Sequence, residues 1–309
     1  MEENAISRRN VLAAGAAVGV AGALGLGRTP LAHAEGGGAA IALTHVTVID
    51  ATGARPQPDM TVIVRNGRIA ALGHDVVVPE GAQVVNLKGK YVIPGLFDMH
   101  VHSQYPEGIL PQSYIATGIT SARDMMGFDQ LHQWRDRIEA GKLLGPRWTI
   151  GSPILDGKPS LWDGTPGAAF AQISGAKQGR REVRKAKRGG ADFIKIYSRL
   201  DRESFLAIAD EARHLRLPVC GHAADAIPIV EAAKAGQRSF EHFFPALFGV
   251  SSKETEVRRL IDGIKIRGKG VGIHDWFAAI HPADWLACTT YDPHRAADVY
   301  AQLKAAAPP

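Results

Sequence analysis

Two histidines separated by one residue, His100 and His102, end an apolar segment that spans residues 92–102. Side chains two residues apart in an extended strand point to the same side, so both imidazoles are expected to face one place. Two neutral imidazoles that converge at the end of a strand suit a divalent transition metal, above all zinc. The alternative interpretation is that one histidine lies at the surface and the other is a hydrogen-bonded core residue. The pair by itself leaves both interpretations open.

Three later segments have the composition of short buried strands and carry a lysine or a histidine. They are residues 191–197 with Lys195, residues 217–223 with His222, and residues 236–242 with His242. Apolar residues recur at helical spacing between them, over 202–215 and 226–235. Alternation of strands and helices, with polar residues at the strand C-termini, is typical of a parallel α/β barrel.

The ordered set of these segments resembles the amidohydrolase superfamily, close to its imidazolonepropionase-like and prolidase-like enzymes. The residues that carry the resemblance are Pro94 to His102, Gly118 to Asp124, Ile194 to Ile196, His222, and Ser239 to His242. The resemblance covers nearly everything from about Ile41 to the last residue. It implies a TIM-type (β/α) barrel over residues 91–309, preceded by a small β-sandwich-like domain over residues 39–90.

The resemblance also implies a metal centre, expected to hold two Zn²⁺ ions in a complete site. The residues that match the metal ligands of the family are His100, His102, Lys195, His222 and His242. In the family, the lysine reacts with carbon dioxide to form a carbamate that bridges both ions. Lys195 has apolar neighbours on both sides, and a buried lysine needs a charge partner. The alternative is a lysine whose ammonium reaches solvent at the strand end.

The activity that the resemblance implies is hydrolysis of a carbon–nitrogen bond in an amide, peptide or cyclic amide by a metal-activated hydroxide. Lys195 and His242 would take part in catalysis. Asp98 shares the strand face of the two histidines, so we expect it to orient them, with capping of the strand end as the alternative. Tyr197 and Arg199 follow Lys195 and are expected to meet the carboxylate of a small, dipeptide-like substrate.

The general-base aspartate that ends strand 8 in the family is not found in this sequence. None of the aspartates after His242 ends an apolar strand; they are Asp262, Asp275, Asp284, Asp292 and Asp298. Residues 291–304 instead predict an amphipathic helix that starts at Asp292-Pro293. We therefore expect about six of the eight barrel strands, because two more βα units would need roughly 60 residues.

An incomplete barrel has consequences for association and for activity. Its edge strands would be unpaired, which favours association with another copy or with a partner chain. The alternative function is accordingly a truncated, non-catalytic amidohydrolase-like barrel that needs a partner chain or is inactive.

The first 34 residues predict a twin-arginine signal peptide. Arg8 and Arg9 precede an uncharged, Ala/Gly-rich stretch over residues 11–26, and Ala32-His33-Ala34 fits a small-x-small cleavage site. The stretch is shorter than the ~20 apolar residues that span a bilayer. We therefore expect export to the periplasm or the exterior and no membrane span.

Charge and cysteine content exclude other classes of protein. The formal net charge is +5, and the one dense basic run lies between Lys177 and Arg188. No aromatic residues interleave with it for base stacking, so we expect a solvated helix face and no nucleic-acid partner. The two cysteines, Cys220 and Cys288, form no Cys-x-x-Cys motif of a structural zinc finger, and Cys220 is expected in the core.

Overall fold

The computed structural model describes residues 40–242, 244–267 and 269–306, so the predicted signal peptide lies outside the described residues. The chain forms two compact units. One contains the described residues up to Asp98 together with Glu107–Ala122 and Gly141–Arg147, and the other contains Met99–Pro106, Arg123–Ala140 and the chain from Trp148 on.

The first unit contains a five-stranded sheet. Its strands are β1 (Ile41–Val48), β2 (Gln57–Arg65), β3 (Arg68–Gly73), β4 (Gln83–Asn86) and β5 (Tyr91–Val92). The order is β3-β2-β1-β4, and β5 also pairs with β1. Asn-Gly between two strand-like segments is a sequence signal for a two-residue hairpin, and Asn66 and Gly67 form one, with φ angles of 51° and 69° between the paired residues Arg65 and Arg68.

The remaining strands form two further sheets. They are β6 (Leu96–Val101), β7 (Ile119–Asp124), β8 (Arg147–Ile150), β9 (Ile154–Asp156), β10 (Phe170–Gln172), β11 (Ile194–Ile196), β12 (Val219–Gly221) and β13 (Gln237–Phe240). One sheet has the order β6-β7-β8, and the other has the order β10-β9-β11-β12-β13. All strand pairs of the second of these sheets are parallel, so the fold is an α/β fold with parallel-strand sheets.

Helices alternate with the parallel strands as the sequence predicts. They are α1 (Gln112–Ala116), α2 (Asp129–Glu139), α3 (Ala176–Arg188), α4 (Arg202–His214), α5 (Ile229–Ala235), α6 (Phe244–Gly249), α7 (Glu254–Asp262), α8 (Gly272–Thr289) and α9 (Pro293–Ala306). α5 begins three residues later than its apolar pattern, because a residue that precedes a proline, here Pro228, disfavours helical dihedrals. α9 starts at the predicted Asp292-Pro293, where the Asp292 carboxylate accepts a bond from the amide of His294.

The core of the second unit packs α3 and α4 against the parallel strands. Val183 of α3 and Phe205 of α4 are fully buried together with Ile194 of β11. On the outer side, Arg180 donates to Asp210 at 2.7 Å and Arg184 donates to Glu211 at 3.0 Å. The basic run therefore lies on a helix face that is solvated and partly paired with the acidic face of α4. Among the described residues, none of the helices combines the length and apolar character that crossing a bilayer requires.

A buried carboxylate ties α8 to the segments that follow β11 and β12. Asp225 accepts a hydrogen bond from Trp276 Nε1 at 3.0 Å and lies 3.4 Å from Arg199 Nη1. Burial raises the pKa of Asp225 to about 7, although the hydrogen bond from Trp276 and the charge of Arg199 lower it. The cost of burying this charge is therefore only partly offset by its partners.

Two glycines with positive φ, of which only one lies against the backbone of β11, allow steric overlap to be distinguished from backbone strain. Gly221 has φ 133°, and a Cβ there would lie 2.2 Å from the carbonyl oxygen of Ile196, whereas Gly236 has φ 115° and open space. We expect Gly236→Ala to lower the free energy of unfolding by about 1 kcal/mol. Gly221→Ala should lower it by about 3 kcal/mol or more, because steric overlap adds to the backbone strain. Urea denaturation of both variants measures the difference, and equal losses would contradict it.

The raised pKa of Asp225 predicts a pH-dependent effect on stability. The carboxyl group of Asp225 has a pKa of about 7 in the folded state, against about 3.9 in the unfolded chain. The protonated group therefore makes its full contribution to the free energy of unfolding below about pH 4, and this contribution is lost as the pH rises through 7. Asp225→Asn should gain up to about 4 kcal/mol relative to the parent between pH 4 and pH 8, at about 1.4 kcal/mol per pKa unit. Denaturation midpoints across this range check it, with Asp298→Asn on exposed α9 as the control, and parallel profiles would refute it.

Candidate functional site

The histidines predicted as metal ligands lie together at the C-terminal ends of their strands. His100 lies in β6 and His102 just beyond it, while His222 follows β12 and His242 follows β13. The ring centroids of His100 and His242 are 4.6 Å apart, and those of His222 and His242 are 5.1 Å apart. The centroids of His100 and His102 are 5.2 Å apart. The fold therefore brings the two imidazoles of the β6 segment together with those that follow β12 and β13, more than a hundred residues later in the sequence.

Lys195 of β11 is completely buried beside this cluster. Its Nζ has no hydrogen-bond partner within the described part of the chain, and it lies 5.7 Å from the centroid of the Tyr197 ring. Burial lowers the pKa of Lys195 to about 8, although the charge of Glu241 partly opposes the change. The amine is consequently far more available in its neutral, nucleophilic form than an exposed lysine would be.

The buried imidazoles are held in their neutral form. Burial, and then the charge of Lys195, lowers the pKa of His102 to about 4 and that of His222 well below its usual value. Burial and the neighbouring His100 also lower the pKa of His242. Neutral imidazole is the form that binds metal ions, so these residues need not lose protons at neutral pH to act as ligands.

Glu241 contacts the histidine cluster, although the sequence alone did not indicate it as a site residue. Its Oε2 lies 2.7 Å from His100 Nδ1, and its Oε1 accepts from Arg123 Nη2 at 2.7 Å and from the Ser239 hydroxyl at 2.6 Å. Burial raises the pKa of Glu241, but the bonds from His100 and Ser239 and the charge of Arg123 outweigh it and hold the pKa at about 2. An ionised carboxylate only accepts hydrogen bonds, so His100 Nδ1 is the donor.

The backbone after β13 departs from regular strand geometry. β13 ends at Phe240, so the alternation of side chains along a strand does not fix the directions of Glu241 and His242. His242 has φ 64°, a left-handed conformation. The usable signal in the sequence is a carboxylate directly before a histidine at a strand end.

The residues after Lys195 surround His222. The Ser198 hydroxyl lies 2.8 Å from His222 Nδ1, and the Tyr197 ring stacks on His222 with centroids 3.9 Å apart. Tyr197 therefore lies in the cluster, whereas the Arg199 guanidinium lies beside Asp225. Their roles toward a substrate stay predictions. Asp225, His222 and Glu241 line one small cleft with Trp276.

The other predicted positions are placed as follows. Asp98 is half-buried in β6, two residues before His100, and its orienting role stays a prediction. The aspartates after His242 lie in helices or next to them, with Asp275 in α8 bound to Arg267.

In the described part of the chain, no group of three or more His, Cys, Asp and Glu side chains is arranged to hold a metal ion. Cys220 is buried in β12 as expected, Cys288 is exposed, and neither is in a disulfide.

Comparisons with known sequences give partial matches. No family model matches the chain. A dihydroorotase of Trichlorobacter lovleyi is 38% identical over 69 residues, which are 20% of this chain and 16% of that protein. A dihydroorotase of Geobacter sulfurreducens is 43% identical over 63 residues, 20% of this chain and 15% of that protein. The matches thus span about a sixth of the length of these relatives.

Comparisons with solved structures cover most of the chain. An amidohydrolase has a similar fold with a TM-score of 0.61, at 19% identity over 86% of this chain and 82% of its own. A prolidase in complex with N-methylphosphonate-L-proline has a TM-score of 0.60, at 20% identity over 86% and 76%. A Xaa-Pro dipeptidase with bound methionine has a TM-score of 0.57, at 18% identity over 87% and 77%. Similar sequence over one segment and similar fold over most of the chain confirm its resemblance to the amidohydrolase superfamily.

Proposed function

We propose that this chain is a metal-dependent hydrolase of carbon–nitrogen bonds. The observation that carries the proposal is the gathering of His100, His102, His222 and His242 at strand ends beside the buried amine of Lys195. Perturbed titratable groups that cluster in this way are typical of a catalytic site. The similarity to prolidases and amidohydrolases supports the same class of reaction.

The donor chemistry of the cluster fits a divalent metal centre. His100 and His102 would hold one ion and His222 and His242 a second, so each pair needs a further ligand. Lys195 would supply it as a carbamate, because its buried Nζ has no hydrogen-bond partner among the described residues and its lowered pKa favours reaction with carbon dioxide. We propose Zn²⁺ as the ion, since neutral imidazole and oxygen ligands suit it. When bound, the metal would polarise the scissile carbonyl and acidify a water molecule.

The residues around the ligands would orient them and limit access of water. Glu241 holds the proton of His100 on Nδ1, and Ser198 does the equivalent for His222 if its hydroxyl oxygen accepts. The rings of Trp162 and Tyr197 pack 5.5 Å apart, and Trp162 lies 6.1 Å from His102. These apolar rings would lower the local dielectric constant and thereby strengthen the electrostatic interactions of the site.

The proposed substrate is a small amide, dipeptide or cyclic amide that carries a carboxylate. Arg199 would bind that carboxylate in a bidentate contact in place of Asp225, with Tyr197 beside it. Asp98 would help to orient the histidines from β6. The complex of the similar prolidase with a proline derivative supports a substrate of this class.

We also propose the finer features of architecture and location. The parallel strands would form six strands of a TIM-type barrel, and its open edges would favour association with another copy or a partner chain. The predicted signal peptide would direct the protein to the periplasm or the exterior. A non-catalytic barrel is the second candidate, because among the described residues no aspartate after His242 lies at the end of a strand.

Metal content tests the centre directly. Purified protein should contain about two equivalents of zinc per chain by plasma mass spectrometry, as two-metal hydrolases do. His100→Ala with His102→Ala should remove at least one equivalent, while His281→Ala on the exposed side of α8 should remove none. Well-folded protein with metal far below one equivalent after zinc loading would refute the centre and favour the non-catalytic alternative.

Hydrolysis of a defined panel tests the activity. We expect zinc-loaded protein to cleave at least one Xaa-Pro dipeptide or cyclic amide that carries a carboxylate, with release of amine or acid followed by chromatography. Lys195→Ala should lower kcat/KM by about 10³-fold or more, because the second metal and its several kcal/mol of stabilisation would be lost. Lys185→Ala, at an exposed position on α3, is the control. Equal activity of Lys195→Ala and the parent would contradict the proposal.

A further inference from the structure

We propose that Arg123 and Glu241 form a positioning pair that selects the tautomer of His100 and thereby controls its capacity to bind metal. The inference rests on the proposed function only in its last step, the binding of metal by His100. The choice of tautomer itself follows from hydrogen-bond geometry in the metal-free protein.

The first step is the direction of each hydrogen bond at Glu241. Its Oε1 accepts from Arg123 Nη2 and from the Ser239 hydroxyl, and its Oε2 faces His100 Nδ1 at 2.7 Å. A carboxylate has no proton to donate, so the proton of a neutral His100 must be on Nδ1. The lone pair that can bind a metal ion is then on Nε2.

The second step is that Arg123 is itself held in place. Its Nε donates to the carbonyl oxygen of Met99 at 2.7 Å, and its Nη1 donates to the Ser239 hydroxyl at 3.2 Å. The side chains of Arg123 and Glu241 are only 15% and 9% exposed. A guanidinium offers donors in a rigid planar fork and has no acceptor. The position next to Arg123 therefore requires an oxygen atom and cannot accommodate an NH₂ group.

This requirement makes glutamine at position 241 a sensitive probe. The amide of Glu241→Gln would place its oxygen against Arg123 and its NH₂ group against His100. The NH₂ group would donate to His100 Nδ1 and move the ring proton to Nε2, where it blocks the metal-binding lone pair. Without Arg123, the amide is free to turn its oxygen toward His100, because the Ser239 hydroxyl can accept as well as donate.

The experiment measures the tautomer in metal-free protein by ¹⁵N NMR of histidine-labelled samples at about pH 8, where unperturbed imidazole is neutral. The His100 signals are assigned by their loss in His100→Gln. We expect Nδ1–H in the parent protein, in Arg123→Met and in the double variant Arg123→Met/Glu241→Gln. Glu241→Gln alone should show Nε2–H.

Zinc affinity, measured by competition with a chelator, provides the second readout. Glu241→Gln should bind zinc about 10- to 100-fold more weakly than the parent, a loss typical of partners that orient metal ligands. The double variant should bind zinc at least about tenfold more tightly than Glu241→Gln alone. A merely structural role of Arg123 does not predict this recovery of affinity.

Several results would overturn the inference. Nδ1–H at His100 in folded Glu241→Gln would do so, and so would Nε2–H that persists in the double variant. If the double variant does not fold, the tautomer in Glu241→Gln alone decides. Protein that shows the expected tautomers but binds no zinc in any form would leave the positioning pair intact and refute the proposed metal-dependent function.

Discussion

The burial of one amine sets the constraint on which the rest of the site depends. Lys195 lies in β11 between the fully buried Ile194 and Ile196, and its Nζ has no hydrogen-bond partner in the part of the chain that the structure describes. An unpaired ammonium in such surroundings is costly, so burial lowers its pKa to about 8. Burial, and then the positive charge of Lys195, also lowers the pKa values of His102 and His222. The shared burial thus favours the neutral form of the lysine and of the imidazoles beside it.

Glu241 brings a negative charge into contact with the cluster. Glu241 is ionised at neutral pH, and its two oxygens are used by different partners, Arg123 and Ser239 on one side and His100 on the other. The left-handed backbone at His242 follows directly after it. Local strain of this kind, of order 1–3 kcal/mol, persists only where the surrounding structure imposes it. The ion pair of Arg123 and Glu241 by itself adds little net stability, because the cost of desolvating two buried charges can exceed their attraction.

Asp225 is a second carboxylate close to the site, but its partners do not outweigh the effect of burial on its pKa as those of Glu241 do. Asp225 binds Trp276 of α8 and approaches Arg199, yet burial leaves its pKa at about 7. Arg199 has its backbone amide fixed by Asp156, a fully buried carboxylate that also accepts bonds from Gly157, Ser160 and Leu161. The segments after β9, β11 and β12 are therefore joined through carboxylates, and they carry the residues expected to meet a substrate.

The sequence by itself determined the hairpin at Asn66-Gly67, the alternation of strands and helices from β11 to β13, and the start of α9. Its resemblance to a known family implied the candidate ligands His100, His102, Lys195, His222 and His242. The elements follow from local periodicity and turn chemistry, which are properties of neighbouring residues, whereas the ligand set follows from the order of motifs that carries the resemblance. Folding alone decided the partners: Glu241 with His100 across 141 positions, Arg123 with Glu241 across 118, and Asp225 with Trp276 across 51. The left-handed backbone at His242, beyond the end of β13, was likewise decided by the tertiary structure. Such pairings and pKa values depend on long-range packing and burial, which no local pattern in the chain encodes.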